Sequence, residues 1–213
     1  MASSLSVFLD PLEFITRLRS RFHTELLRYL YPFNEFGRGV SIHYSCAIKR
    51  PFAKGITIGD EVYIGPNVWL YVSVSGSRET PSLILKSGCR IGPGSMLSVS
   101  TRICIEEDVL FSPGVLVMDH MHKYFAPNLP IHSQGVTQGG TVTIGRNSWI
   151  GFGAVICCSR GDLSIGRNSV VGANSVVTKS FPPYSVIAGN PARLIKRYDP
   201  VLRDWVRVDE RLG

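Results

Sequence analysis

From Ile58 onward an aliphatic or aromatic residue stands at every sixth position, in five blocks of three. The series runs Ile58, Ile64, Leu70; Leu85, Ile91, Leu97; Ile105, Phe111, Val117; Ile144, Ile150, Ile156; and Ile165, Val171, Val177. A helix repeats at about 3.6 residues and a strand at about 2, so neither accounts for this period. A short strand followed by a tight corner does. The sixth residue points inward, Gly or a polar residue turns the chain, and a small or β-branched residue (Val62, Val68, Val74) fills the corner. Three strands then close one triangular coil of 18 residues. One coil buries about three aliphatics at roughly 1.5–3 kcal/mol each before entropy, too little to stand alone, so the coils must stack. The pattern predicts a mainly β solenoid.

The blocks are interrupted three times, by residues 75–84, 118–143 and 157–164. Insertions in solenoids project from the stack and commonly form the binding face. The longest, 118–143, carries His120, His122 and His132.

The flanks differ in character. In 11–31, Leu12, Ile15, Leu18, Phe22, Leu26 and Tyr29 recur at helical spacing, with Pro11 suited to the first turn and Asp10 to the cap. Arg17, Arg19, Arg21 and Arg28 make this helix basic. Two uses are open: a cap over one end of the solenoid, or a helix lying on a membrane surface or partner. Residues 198–212 read as a second short amphipathic helix, also a cap. The expected organisation is an N-terminal helical segment over 1–36, the β domain over 37–197 and a helical tail over 198–213, with an irregular first coil within 37–57.

The net charge of +7 favours a polyanionic ligand, either a phosphorylated cofactor, a nucleic acid or an anionic membrane. The basic residues are scattered and no nucleic-acid-binding module is present, so nucleic acid is not expected. No apolar run approaches the roughly 20 residues that span a bilayer, and the N-terminus lacks the pattern of a secretory signal. The five cysteines, odd in number and without a CxxC pair, argue against a disulfide framework and fit a reducing compartment. The expectation is a cytoplasmic protein, with the inner face of the membrane as the alternative place.

The stretches VLFSPGVLVMDHMH, VTIGRNSWIGFGAVI and LSIGRNSVVGANSVVTKSFPPYSVIAGNPARLIK resemble the hexapeptide-repeat acyltransferases. The resemblance is strongest to the galactoside/maltose O-acetyltransferase branch and to the O-acetyltransferases of surface polysaccharides. It implies a left-handed parallel β-helix, a homotrimer with active sites between prisms, and acetyl-CoA as co-substrate with no metal. It implies His120 as general base and Trp149 lining the acetyl or acceptor pocket. Asp119 or a backbone carbonyl would hold the His120 tautomer, and His122 would support the base, contact substrate or stand idle. It further implies coenzyme A contacts at Ser112, Gly151, Phe152, Ala173, Thr178 and Lys179, with Arg193 and Lys196 meeting phosphates.

The chemistry is consistent with those residue types. A thioester is already activated, whereas an alcohol at neutral pH needs a base as it attacks, and imidazole suits that task. The implied acceptor is a sugar hydroxyl of a polysaccharide, glycolipid or precursor. Sugar-binding members use an Asn and an Asp from the preceding coil, where this chain has only Gly92, Ser95, Ser98 and Ser100. Arg78 and Glu79 of the first insertion are possible replacements. Serine or an amino-sugar nucleotide are alternative acceptors. Rivals of other classes are a zinc hydratase using three histidines across an interface, a non-catalytic scaffold, and a thiol nucleophile at Cys157–Cys158.

Overall fold

A computed structural model describes residues 10–73 and 83–208. Its strands form three sheets, which the chain visits in rotation. The first face holds Glu35–Phe36, Ile56–Ile58, Leu83–Leu85, Arg102–Ile105, Thr141–Ile144 and Asp162–Ile165. The second holds Ser41–Ile42, Tyr63–Ile64, Arg90–Ile91, Leu110–Phe111, Trp149–Ile150, Val170–Val171 and Ser185–Gly189. The third holds Ala47–Ile48, Trp69–Val72, Met96–Val99, Leu116–Met118, Val155–Cys157 and Val176–Val177. Pairing between coils is parallel and joins equivalent positions: Ile58 lies opposite Leu85, Ile64 opposite Ile91 and Leu70 opposite Leu97. The fold is the expected left-handed parallel β-helix.

Every sixth-position residue named above is buried in one continuous core. The third residue after many of them turns the corner in the left-handed backbone region. Glu61, Asn67, Asp108, Asn147, Asn168 and Asn174 do so at φ between +53° and +59°. Gly88, Gly94, Gly114 and Gly153 take the same place in other coils. Asn, Asp and Gly tolerate that conformation best, which explains why these types recur there.

The first coil, expected to be irregular, is regular: Phe36, Ile42 and Ile48 stand six residues apart on the three faces, and the 3-10 segment Arg50–Gly55 separates them from the series that starts at Ile58. At the far end the series runs on through Phe181 and Ile187. The insertions 118–143 and 157–164 leave from the edge between the third and first faces. Residues 74–82, which include Arg78 and Glu79, lie outside the described residues.

The N-terminal helix spans Pro11–Leu30, with the Asp10 side chain accepting from the Leu12 N–H at 2.9 Å. It covers the open first coil, and does so with a face other than the apolar stripe. Ser20, Thr24 and Leu27 are the buried residues, and Leu27 joins the core with Val40 and Ile42. Thr24 Oγ1 donates to the carbonyls of Ser20 and Ile42 and accepts from the Ile42 N–H at 2.9 Å. The stripe Leu12, Ile15, Leu18, Phe22, Leu26 and Tyr29 is exposed.

The C-terminal helix is a correction. After Gly189 the chain reverses into Ala192–Asp199 and Asp204–Arg207, two antiparallel strands added to the second face. The Asp199 carboxylate accepts from the N–H groups of Val201 and Leu202, closing a turn where a helix would have continued. Tyr198 lies opposite Trp205, with ring centroids 5.6 Å apart. Cross-strand aromatic pairing outweighs a short stretch of helical spacing that Pro200 already interrupts. Among the described residues, no helix is long and apolar enough to cross a membrane.

Candidate active site

The edge between the third and first faces carries His120. Strand Leu116–Met118 ends there, and Asp119 turns inward while His120 remains partly accessible. The Asp119 side chain is fully buried, and both oxygens are used. Oδ1 accepts from the Ser100 N–H at 2.7 Å and lies 2.8 Å from His120 Nδ1. Oδ2 accepts from the N–H groups of Thr101 and Arg102 at 2.7 and 2.8 Å. One carboxylate thus fixes the 100–102 corner of the coil below and one nitrogen of the imidazole. A carboxylate partner makes Nδ1 the donor, so Nε2 holds the lone pair. Adjacency of Asp and His is legible in the sequence. The corner amides they meet are not, because those lie a full coil away.

The long loop folds back on itself. The backbone of His122 bridges that of Val136, Lys123 N–H donates to Gly135 O, and Thr137 N–H to Met121 O. The Gln134 side chain clasps the tip, donating to the carbonyls of Ala126 and Leu129 and accepting from the Ala126 N–H. His122 and His132 stand farther out and are exposed. Among the described residues of one chain, no three His, Cys, Asp or Glu side chains converge as metal ligands.

Of the remaining residues implied by resemblance, six lie along two edges, and Trp149, Arg193 and Lys196 lie on strands of the second face. Ser112, Gly151, Phe152 and Ala173 follow successive second-face strands and stack along the edge between the second and third faces. Trp149 stands exposed on the second face, and its indole N–H donates to Ser112 Oγ at 2.9 Å. Thr178 and Lys179 follow the last third-face strand, on the same edge as His120, with Lys179 Nζ 5.8 Å from the Phe181 ring. Arg193 and Lys196 lie on the Ala192–Asp199 strand. Between the two edges the third face presents an apolar row of Met96, Leu116, Val155 and Val176, in register from coil to coil. Sequence reasoning missed this row, although strand alternation marks it. Within one chain the imidazole therefore lies at one edge of the third face, while the indole, on the second face, reaches Ser112 at the other edge.

Some candidates are redirected. Gly151 is buried, and a Cβ there would stand 2.7 Å from Val171 O and 2.8 Å from Ala173 N, so coil stacking alone requires glycine. Of the four residues considered for the acceptor, Gly92, Ser95 and Ser98 are buried and only Ser100 keeps partial exposure. The thiol-nucleophile alternative fails on electrostatics. Burial pushes all five thiols upward, Cys46 to about 11 and Cys89 to about 12, and Cys157 and Cys158 rise as well. An activated thiol shows the reverse.

No family model matches the sequence. A probable acetyltransferase from Mycobacterium tuberculosis is 29% identical over 160 residues, 75% of this chain and 48% of that protein. The chain thus spans about half the length of that relative. Among solved structures, AntD, an N-acyltransferase from Bacillus cereus in complex with dTDP and 3-hydroxybutyryl-CoA, superimposes with a TM-score of 0.66 at 23% identity, over 84% of this chain and 89% of that one. A maltose O-acetyltransferase from Clostridium difficile 630 gives 0.53 at 24% identity, over 89% and 90%. PerB from Caulobacter crescentus, in complex with CoA and GDP-perosamine, gives 0.52 at 17% identity, over 84% and 65%. The chain shares its fold with these proteins, and the resemblance noted in the sequence extends to three dimensions.

Proposed function

We propose that this chain is an acyl-CoA-dependent acyltransferase that moves an acetyl group from acetyl-CoA to a sugar hydroxyl, with His120 as general base. The observation that carries the reading is the buried Asp119 carboxylate on His120 Nδ1, which leaves Nε2 free to take a proton at a partly open edge. Acetyl-CoA, as co-substrate, supplies the activated carbonyl. Nε2 removes the acceptor proton as the new C–O bond forms, and returns it to sulfur as the C–S bond breaks. General-base assistance of this kind is typically worth about 10²–10⁴-fold in rate. Asp119 touches no reacting atom and acts by positioning.

A homotrimer fits the division of residues between two edges. A neighbouring prism would bring its Trp149, Ser112, Phe152 and Ala173 edge toward His120, with the third-face apolar row lining the groove between them. Exposed Lys179 and Arg193, with Lys196, would then meet the phosphates of coenzyme A. An amino-sugar nucleotide is the second acceptor to consider, because AntD and PerB were solved with sugar-nucleotide-type ligands.

The test is release of free thiol from acetyl-CoA, measured against glycan hydroxyl acceptors and amino-sugar nucleotides, beside His120→Ala. The expected result is release with a sugar hydroxyl, lowered at least about 100-fold in the variant. Turnover of amino sugars alone would replace O- by N-acylation. No turnover and no coenzyme A binding would overturn the reading.

A further inference from the structure

Helix Pro11–Leu30 docks by one narrow face and leaves the opposite one open. At about 100° per residue, Ser20, Thr24 and Leu27 cluster around one direction. Leu18, Phe22, Ile15, Leu26 and Tyr29 cluster on the far side, about 180° away, continued by Leu12 and Phe14. All seven are exposed, from 40% at Leu26 to 81% at Tyr29. Over 20 residues this stripe is about 30 Å long. Among the described residues the docking is accomplished by Thr24 and Leu27 and does not use the stripe.

The borders of the stripe are cationic. Arg17, Arg21 and Arg28 lie along one margin, where Glu25 also stands between Phe14 and Leu18, and Arg19 lies on the other; Glu13, nearer the docked face, is the helix's second acid. Glu13 pairs with Arg17 and Glu25 with Arg28. Arg19 lies 4.0 Å from the Tyr44 ring, which holds its charge near the body of the prism. Arg21 lines both clefts beside the helix, one of about 550 Å³ shared with Ser41 and His43 and one of about 490 Å³ shared with Gly39 and Val40.

We propose that this face lies on an anionic lipid bilayer, the stripe entering the acyl boundary and the arginines meeting headgroup phosphates. Phe, Leu, Ile and Tyr on one face with Arg at its margins is the composition of an interfacial helix. Charge complementarity selects the bilayer over a second copy of the chain. Two such helices pressed together would bring their arginine margins together, whereas anionic headgroups neutralise them. The site is remote from the Asp119–His120 pair, and the inference does not depend on the acyl-transfer reading.

Sedimentation of the full chain with phosphatidylcholine vesicles, with and without about one-third phosphatidylglycerol, tests the proposal. Binding to the anionic vesicles is expected, falling when salt is raised from about 0.05 to about 0.5 M. The double variant Leu18→Glu/Phe22→Glu should bind about 100-fold more weakly. Arg21→Gln should bind about five-fold more weakly. Both variants should keep the wild-type circular dichroism, since the altered side chains are exposed. Wild-type protein that stays in solution with both vesicle types overturns the proposal, as does a double variant that binds undiminished. Loss of a wild-type oligomer in the double variant, without vesicle binding by either protein, would assign the stripe to a second copy and equally overturn it.

Discussion

The carboxylate of Asp119 and the imidazole of His120 are neighbours in sequence that meet again through their side chains, Oδ1 to Nδ1 at 2.8 Å. The same carboxylate holds three backbone N–H groups of Ser100, Thr101 and Arg102. Asp119→Asn keeps the size and places an NH₂ where one pair of donors now points. Whichever way the amide turns, buried donors face each other. A stability loss of roughly 1–3 kcal/mol is expected in urea unfolding. In the proposed reaction, kcat should fall while the KM for acetyl-CoA changes little, because Asp119 acts on the base and not on the thioester. A variant with wild-type kcat would show that the imidazole needs no partner.

The thiols allow a check that needs no substrate. Burial raises Cys46 and Cys89, so at pH 8 their reactive thiolate is scarcer than in a free cysteine. Iodoacetamide at pH 8 should leave both unmodified in the native protein and alkylate both in urea, as read by peptide mass spectrometry. Native labelling of Cys89 at the free-thiol rate would mean that the coil opens around it.

The architecture was legible because a sixth-residue period has few geometric causes. A buried side chain at each sixth position, with Asn, Asp or Gly at the left-handed corner, leaves little freedom. Two features stayed hidden for the same reason, namely that a periodic pattern reports which side is apolar and not what covers it. Leu12, Leu18 and Phe22 marked an amphipathic helix correctly, yet the contact is made by Ser20, Thr24 and Leu27, whose polar atoms satisfy the edge backbone at Ile42. Residues 198–207 carried spacing compatible with a helix, and tertiary pairing of Tyr198 with Trp205 decided otherwise. At the site, Asp119 and His120 stood in a recognisable motif, while the burial of Ser95 and Ser98 follows from which face each coil position occupies.

Thr24 gives the helix contact a measurable strength. Thr24→Val preserves shape and removes the only acceptor of the Ile42 N–H found among the described residues. A loss of about 1–3 kcal/mol is expected from the unsatisfied donor. Amides of helix Pro11–Leu30 should then exchange with deuterium faster, while those of strands Ile56–Ile58 and Leu83–Leu85 keep wild-type protection.

The same contact should weaken in acid. His23 is lowered from its ordinary value by burial and then by His43, and His43 by burial and then by Arg19. For a base whose folded pKa lies below the unfolded one, the unfolded state binds more protons between the two values. Stability is therefore complete above about pH 6.5 and declines as pH falls below it. Helix amides should exchange faster at pH 5 than at pH 7 after correction for intrinsic rates, and the difference should shrink in His43→Gln. An equal difference in that variant would move the cause elsewhere.

Gly151 and Phe152 are adjacent on one edge but answer to different forces. A Cβ at Gly151 would press on Val171 O, Ala173 N and Gly172 C, all backbone atoms of the next coil. None can swing aside as a side chain could, so Gly151→Ala must push two coils apart. A loss of about 1–3 kcal/mol is expected, with the midpoint of urea unfolding lowered accordingly. Phe152 is 57% exposed, and Phe152→Ala should leave that midpoint unchanged. If coenzyme A runs along this edge, Phe152→Ala weakens its binding in calorimetry while the fold stays intact. Unchanged affinity in Phe152→Ala would remove Phe152 from the proposed groove and leave the stacking role of Gly151 standing.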